Sequence, residues 1–417
     1  MNDRARTVQR VYLVLTLLTT LAASFIWGVN TLFLLDAGLS NEEAFLANAF
    51  FTLGMVVFEV PTGVVADTRG RRFSFLLGTA TLLASTLLYL WMWDVRAPMW
   101  GWAISSILIG LGFTFFSGAT EAWLVDALNA TGFSGSLESV FGRAQVVGGA
   151  AMLTGSVLGG VVAQFTNLGA PYLIRSGLLA VTLLVAWRFM RDLGFTPATD
   201  ASPTAAVRRV LAGAIEGGLK NRPVRWLMIA APFTAGTGIY VFYALQPFLL
   251  QLYGDRTAYS VAGMAAALVA GAQILGGLLV PQVRRLFRRR TDALILGGTL
   301  AVALLVALGL SNQFLVALLL VAAWSAIGAA TSPLRQSFIN GVIPSAQRAT
   351  VLSFDSLMGS AGGVVIQPGL GRAADLAGYG MSLVAAGIVY AVSLPFTVLA
   401  RRERAASDPV EDDRTYA

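Results

Sequence analysis

Long apolar runs, each closed by a short cluster of Arg, Gly, Pro, Asp or Asn, recur from one end of the chain to the other. Runs of about 20 residues are what an α-helix needs to cross the roughly 30 Å hydrocarbon layer of a bilayer. The pattern predicts spans at about 11–35, 44–66, 73–93, 99–127, 139–165, 172–190, 224–250, 260–281, 292–310, 314–339, 350–374 and 381–400, with boundaries good to roughly 4 residues. The strands of a membrane barrel would instead alternate apolar and polar positions over about ten residues, and no such alternation occurs. Arg4, Arg6 and Arg10 before the first run imitate a secretory leader. That run is too long, however, and lacks a small-residue cleavage site, so it reads as an uncleaved first helix.

Composition supports this picture. With 56% hydrophobic and 12% charged residues among 417, the chain has too little polar surface for a soluble globule of its size. The net charge of +7 does not mark a nucleic-acid surface, because the basic residues fall in alternate loops. Arg4 to Arg10, Arg69 to Arg72, the stretch from Arg188 to Arg225, the cluster Arg284 to Arg290, and Arg401 to Arg404 share one side, while the other holds little beyond Arg96 and Arg256. By the positive-inside rule the basic side, with both termini, is cytoplasmic. The absence of Cys and His excludes disulfides, thiol chemistry, most zinc sites and a histidine proton relay. A proton carrier in this chain must be a carboxylate.

The longest polar interval, 191–223, begins as a Pro/Ser/Thr linker and predicts a basic amphipathic helix around Ala205 to Leu219. It separates an N-terminal six-helix bundle (1–192) from a C-terminal one (224–402), with 193–223 as cytoplasmic linker and 403–417 as a cytoplasmic tail. The halves repeat faintly. The fourth span, I-G-L-G-F-T-F-F-S-G-A-T-E-A-W, parallels the tenth, S-A-I-G-A-A-T-S-P-L-R-Q, and glycines 148, 160 and 169 stand in step with 359, 371 and 380. G-G-L-L-V-P-Q-V-R-R, after the eighth span, takes the place of the hinge after the second but lacks its acid.

That hinge, P-T-G-V-V-A-D-T-R-G-R-R from Pro61 to Arg72, is the most specific motif present. Gly63 allows close helix packing, Asp67 can accept from the free N–H groups of a helix N-terminus, and Arg69, Arg71 and Arg72 stop at the membrane surface. It resembles the signature of the major facilitator superfamily, G-x-x-x-D-R-x-G-R-R. Gly63, Asp67, Gly70, Arg71 and Arg72 match, and Thr68 replaces the first basic residue. The resemblance implies an all-α membrane protein of twelve transmembrane helices in two pseudo-symmetric six-helix bundles around a cavity, and a secondary transporter rather than an enzyme. It also pairs Asp126, at the inner end of the fourth span, with the hinge. Gly63, Asp67, Gly70, Arg71, Arg72 and Asp126 are therefore expected to form a cytoplasmic gating latch.

Charged residues inside spans are costly and are functional candidates by default. Glu121, roughly 7 Å deeper than Asp126 at about 1.5 Å per residue, is the first candidate for a titrating carboxylate, Asp355 the second and Glu59 the third. The opposing reading is that each pairs with an arginine such as Arg143 or Arg335 and stays ionised.

The fifth span, G-G-A-A-M-L-T-G-S-V-L-G-G, is close to the exporter pattern G-x-x-x-G-P-x-x-G-G. Gly155, Gly159 and Gly160 match, and Ser156 replaces the proline. The arginine that proton-coupled relatives place before Gly110 is absent near Ser106. Both departures count against proton antiport, while E-V-P-T-G-V-V-A-D, A-T-E-A-W-L-V-D-A-L and R-Q-S-F-I-N-G-V-I-P-S-A-Q-R-A-T-V-L-S-F-D-S-L together resemble the bacterial drug-efflux branch with tetracycline- and macrolide-type exporters. In that fold spans 1, 4, 7 and 10 face the cavity, offering Trp27, Asn30, Phe33, Phe115, Tyr240, Tyr243, Gln246 and Trp324. Rings with a few amides suit amphiphilic, partly aromatic substrates. The expectation is proton-coupled export of drug-like small molecules by a monomer in a bacterial inner membrane, without cofactor, metal or nucleic acid. Export of an endogenous metabolite, lipid or siderophore-like compound, or facilitation without protons, is the alternative.

Overall fold

The computed structural model describes residues 3–410 except 117, 198–204, 206, 209–211, 213–214 and 344–347. The first half contains α1 (Asp3–Trp27), α2 (Asn30–Asp36), α3 (Asn41–Arg69), α4 (Arg71–Asp94), α5 (Met99–Thr114), α6 (Ala119–Ala130), α7 (Leu137–Phe165) and α8 (Ala170–Phe189). The second contains α9 (Arg222–Tyr253), α10 (Tyr259–Leu278), α11 (Val280–Leu286), α12 (Arg290–Leu310), α13 (Phe314–Val342), α14 (Arg348–Ala391) and α15 (Ser393–Arg402). Within the expected amphipathic helix at 205–219, residues 205, 207, 208 and 212 are helical, and 206, 209–211 and 213–214 lie outside the described residues. Its described end, Ile215–Leu219, is a π-helical turn with Gly217 and Gly218 buried.

Eleven stretches among the described residues are long and apolar enough to cross a membrane, the last being Thr350–Arg402. Its 53 residues would extend about 80 Å as one helix, far beyond one crossing. At Gly378 (φ 81°, ψ 165°) the backbone leaves the helical region and folds it into two. This gives the twelve crossings of the predicted all-α fold. The structure also adds a break: the fourth crossing stops at Thr114 and restarts at Ala119 behind Gly118, which has φ 66°.

Two compact units form. Unit 1 holds residues 1–39, 50–207 and 257–267; unit 2 holds 40–49, 208–256 and 268–417. Each therefore takes a short segment from the opposite sequence half. Inside unit 1, α1 packs on α7 and α8, and α4 on α5 and α8. Inside unit 2, α9 packs on α14 and α15, and α12 on α13 and α15, so the same pairing of crossings is made twice.

Close helix approach was expected of Gly63, but a methyl group there would meet nothing within 4 Å. The tight crossing lies about two and a half turns earlier on α3, where a methyl at Gly54 would come within 2.6 Å of the Ile107 carbonyl oxygen.

Candidate functional site

Each unit contains its own cavity. In unit 1 a space of about 580 Å³ is walled by Tyr12, Trp27, Phe75, Phe113, Phe116 and Phe141, with the hydroxyls of Thr16, Thr19, Thr20 and Thr120 and the amide of Gln145 between the rings. Glu121 and Arg175 are the charged groups lining it. Glu121 stands in the first turn of α6, immediately after the helix break, where the N-terminal end of a helix favours negative charge. Its side chain is exposed into the cavity, and among the described residues no hydrogen bond or ion pair to its carboxylate is formed. Arg175 is 1% exposed; it donates to the Ala22 carbonyl oxygen at 3.1 Å and to Thr86 Oγ1 at 3.1 Å, and lies over the Phe113 ring.

The unit 2 cavity, about 640 Å³, is more polar, with Thr234, Ser332, Gln336, Asn340, Ser356 and Ser360 among its lining residues. Arg335 grips Asp355 through both carboxylate oxygens, each at 2.6 Å, and donates to the Leu227 carbonyl oxygen at 3.1 Å. This bidentate pair, with Asp355 8% exposed, is the arrangement of the opposing reading for that acid. Glu59 is half-buried on α3. Arg143 is exposed and forms no ion pair with an acid among the described residues.

The hinge residues converge within unit 1. Arg71 Nη1 donates to Asp67 Oδ1 at 2.5 Å, its Nε lies 4.0 Å from Asp126, and its guanidinium stacks over Phe195. The helix N-terminus here is capped not by Asp67, which turns toward Arg71 from the last turn of α3, but by Asp192, a residue the sequence does not single out. Asp192 Oδ1 accepts from the Arg72 N–H at 2.8 Å, and the Arg72 side chain donates to the Trp187 carbonyl oxygen at 2.8 Å. Gly70 (φ 107°) must be glycine, because a side chain would also run into the Asp192 carboxylate.

Unit 2 repeats this device. Asp408, 2% exposed, accepts from the Thr291 N–H at 2.9 Å and from its hydroxyl at 2.8 Å, capping the start of α12. The tail around it is pinned by Arg290 donating to the Pro409 carbonyl oxygen at 2.6 Å and by Ser407 donating to that of Phe338 at 2.7 Å. Each unit thus caps its third crossing with a carboxylate that follows its sixth.

Burial raises the Asp192 carboxyl above its ordinary value, opposed by the Arg72 N–H and the charges of Arg72 and Arg71, and reinforced by Asp126. A folded-state value above the unfolded one means that ionising Asp192 costs stability. That cost is absent at pH below the unfolded value and complete above the folded one. Asp192→Asn, which keeps an acceptor without the charge, is expected to melt no lower than the parent at pH 7. Asp192→Ala is expected to lose about 1 kcal/mol of capping energy. Thermal unfolding in detergent distinguishes them; equal losses in both would show that the carboxylate charge itself holds the loop.

The remaining expected cavity residues separate into two groups. Trp27 lines the unit 1 cavity, and Trp324 lines a second space of about 390 Å³ in unit 2. Asn30 is buried and accepts from the Tyr172 hydroxyl at 2.9 Å, and Phe33 is fully buried in a cluster with Tyr89, Trp93, Trp102 and Tyr172. Phe115 is buried, its carbonyl oxygen accepting from Ser74. Tyr240 is fully buried, hydrogen-bonded to Ser382 and packed on Phe45; Gln246 is buried; Tyr243 stands edge-on to Phe242. The unit 1 cavity is instead walled by rings from α1, α4, α5 and α7, together with Phe116.

Known proteins agree with this architecture. The solved structure of the nucleoside transporter NupG superposes with a TM-score of 0.76 at 10% identity, covering 96% of this chain and 99% of that one. The POT family transporter PepTSo gives 0.73 at 12% identity, covering 95% and 98%. A bacterial homologue of the human lysosomal transporter Spinster gives 0.69 at 16% identity, covering 96% and 98%. In sequence, an uncharacterized MFS-type transporter of Methanocaldococcus jannaschii is 21% identical over 249 residues, which span 59% of this chain and 62% of that relative. The family model described as Major Facilitator Superfamily matches residues 12–365. A membrane-embedded, twelve-crossing chain whose sequence carries that match belongs to the major facilitator superfamily.

Proposed function

We propose that this membrane transporter exports amphiphilic, partly aromatic small molecules bearing positive charge, in exchange for protons, by alternating access. The observation that carries the reading is Glu121: a carboxylate open to an aromatic-walled cavity, at a helix break, with no cation bound to it among the described residues. An organic cation satisfies it by ion pairing while its rings lie on the aromatic walls, and a proton satisfies it on the return step. Asp67, Arg71 and Asp126 act as the latch of the cycle, and Asp192 positions it.

A resistance profile in an efflux-deficient bacterial host tests this. Expression is expected to raise tolerance to lipophilic cations more than to neutral or anionic compounds of similar size. Counterflow of a labelled compound in liposomes then separates a transporter from a binding protein. Preferential tolerance to anions, or counterflow only of a metabolite or lipid, would replace the drug-cation reading with the endogenous one.

The arginine distribution favours both termini and the 191–223 linker in the cytoplasm of a bacterial inner membrane. A single cysteine placed at the exposed Thr196 is expected to resist a membrane-impermeant thiol reagent in intact cells and to react in inverted vesicles. The reverse labelling overturns the orientation.

A further inference from the structure

The outer face of unit 1 carries a groove between α4 and α8 that the proposed transport cycle does not use. It encloses about 590 Å³ and is lined by apolar residues alone, among them Phe73, Leu77, Leu83, Leu184 and Trp187. From Phe73 to Leu83 it follows ten residue steps of α4, about 15 Å, which is half of the roughly 30 Å hydrocarbon thickness. A groove of that length holds one acyl chain of one leaflet.

Its end at Phe73 and Trp187 is ringed by cations. The Arg69 guanidinium lies 5.7 Å above the Phe73 ring, Arg72 donates to the Trp187 carbonyl oxygen at 2.8 Å, and the Arg188 guanidinium lies 5.2 Å above the Phe189 ring. Arg69 and Arg188 are exposed, and neither forms an ion pair with a carboxylate among the described residues. Of the nearby acids, Asp192 is taken up by the Arg72 backbone and the charges of Arg71 and Arg72, and Asp67 and Asp126 face Arg71.

We infer that this groove binds an anionic phospholipid, with one acyl chain between α4 and α8 and the phosphate held between Arg69 and Arg188. A zwitterionic lipid offers the same chain, but its ammonium group opposes the two uncompensated arginines. Charge complementarity therefore selects the net-negative headgroup, in the cytoplasmic leaflet under the topology proposed above. The bound phosphate sits beside Arg72, at the same helix start that Asp192 caps.

Lipid retention by the purified full-length protein, read by native mass spectrometry, tests the site without reference to transport. Phosphatidylglycerol and phosphatidylcholine with identical chains serve as probes. Each exposed arginine near an anionic headgroup favours binding about fivefold, so phosphatidylglycerol is expected to bind about 25-fold more tightly. R69Q/R188Q is expected to bring the two lipids level, and R69K/R188K to restore the preference. R284Q/R285Q removes the same charge from unit 2 and is expected to change nothing. Filling the groove with A180W is expected to weaken both lipids together. Equal binding of the two lipids by the parent, equal losses in R284Q/R285Q and R69Q/R188Q, or unchanged binding in A180W would each overturn the site.

Discussion

Glu121→Gln is expected to abolish uphill efflux driven by a pH gradient, by roughly tenfold or more, while exchange of substrate across the membrane continues. The amide fixes the neutral form of the side chain, so the cavity keeps its shape and loses the group that alternates between proton and cation. The break between Thr114 and Ala119 makes this substitution informative. The Glu121 carboxylate, in the first turn of α6, makes no hydrogen bond or ion pair among the described residues, so its replacement disturbs little packing. Liposomes with an imposed pH gradient provide the assay, and Asp355→Asn is the comparison. Efflux that survives in Glu121→Gln and fails in Asp355→Asn would move the proton site to unit 2. Parent flux that ignores pH would make the missing arginine near Ser106 and the serine at 156 the better guides.

The second large effect belongs to the ion pair of unit 2. Removing either partner alone leaves an unpaired, largely buried charge lining the unit 2 cavity, so Arg335→Met or Asp355→Leu is expected to cost about 3 kcal/mol. Arg335 retains 26% side-chain exposure, which keeps the cost at the lower end of the range for buried pairs. The double variant R335M/D355L removes both charges and is expected to recover most of that stability. Thermal unfolding of the three variants completes a mutant cycle. Single variants as stable as the parent would show that solvent in the cavity already screens the pair. A stable double variant that has lost transport would give the pair a place in the cycle beyond architecture.

The fold was legible because membrane crossing is written in composition over windows of twenty residues, and helix ends coincide with Gly, Pro and Arg clusters such as Gly70 to Arg72. The hinge motif likewise located the Asp67–Arg71–Asp126 contacts. Side-chain direction was not legible. Phe33 on α2 and Tyr240 on α9 sit among apolar neighbours on more than one face, so sequence position on a cavity-facing crossing did not reveal that they turn into packed interiors. The break before α6 had a single local cue, Gly118, in a run otherwise rich in apolar residues. Asp192 and Asp408 were hidden for a different reason. Each caps a helix more than a hundred residues earlier in the chain, and nothing in their immediate neighbourhoods records the partner.

The short segments taken from opposite sequence halves bear on how such a chain could arise. In unit 2 the start of α3 is capped by Asp375, which accepts from the Asn41 N–H at 3.0 Å and the Glu42 N–H at 2.8 Å, and Gly371 packs on Phe45. In unit 1 the start of α10 packs at Gly263 against Gly160, the glycine that stands in step with Gly371. Neither six-crossing half of the sequence thus contains a whole compact unit. An ancestor encoding one repeat could have completed such a unit by lending this helix end to a second copy and receiving the same end in return. That is a reciprocal swap, with the symmetry of a homodimer. Gene fusion would then have made the exchange intramolecular and left each repeat free to specialise, one keeping an open carboxylate in its cavity and the other closing its acid with an arginine.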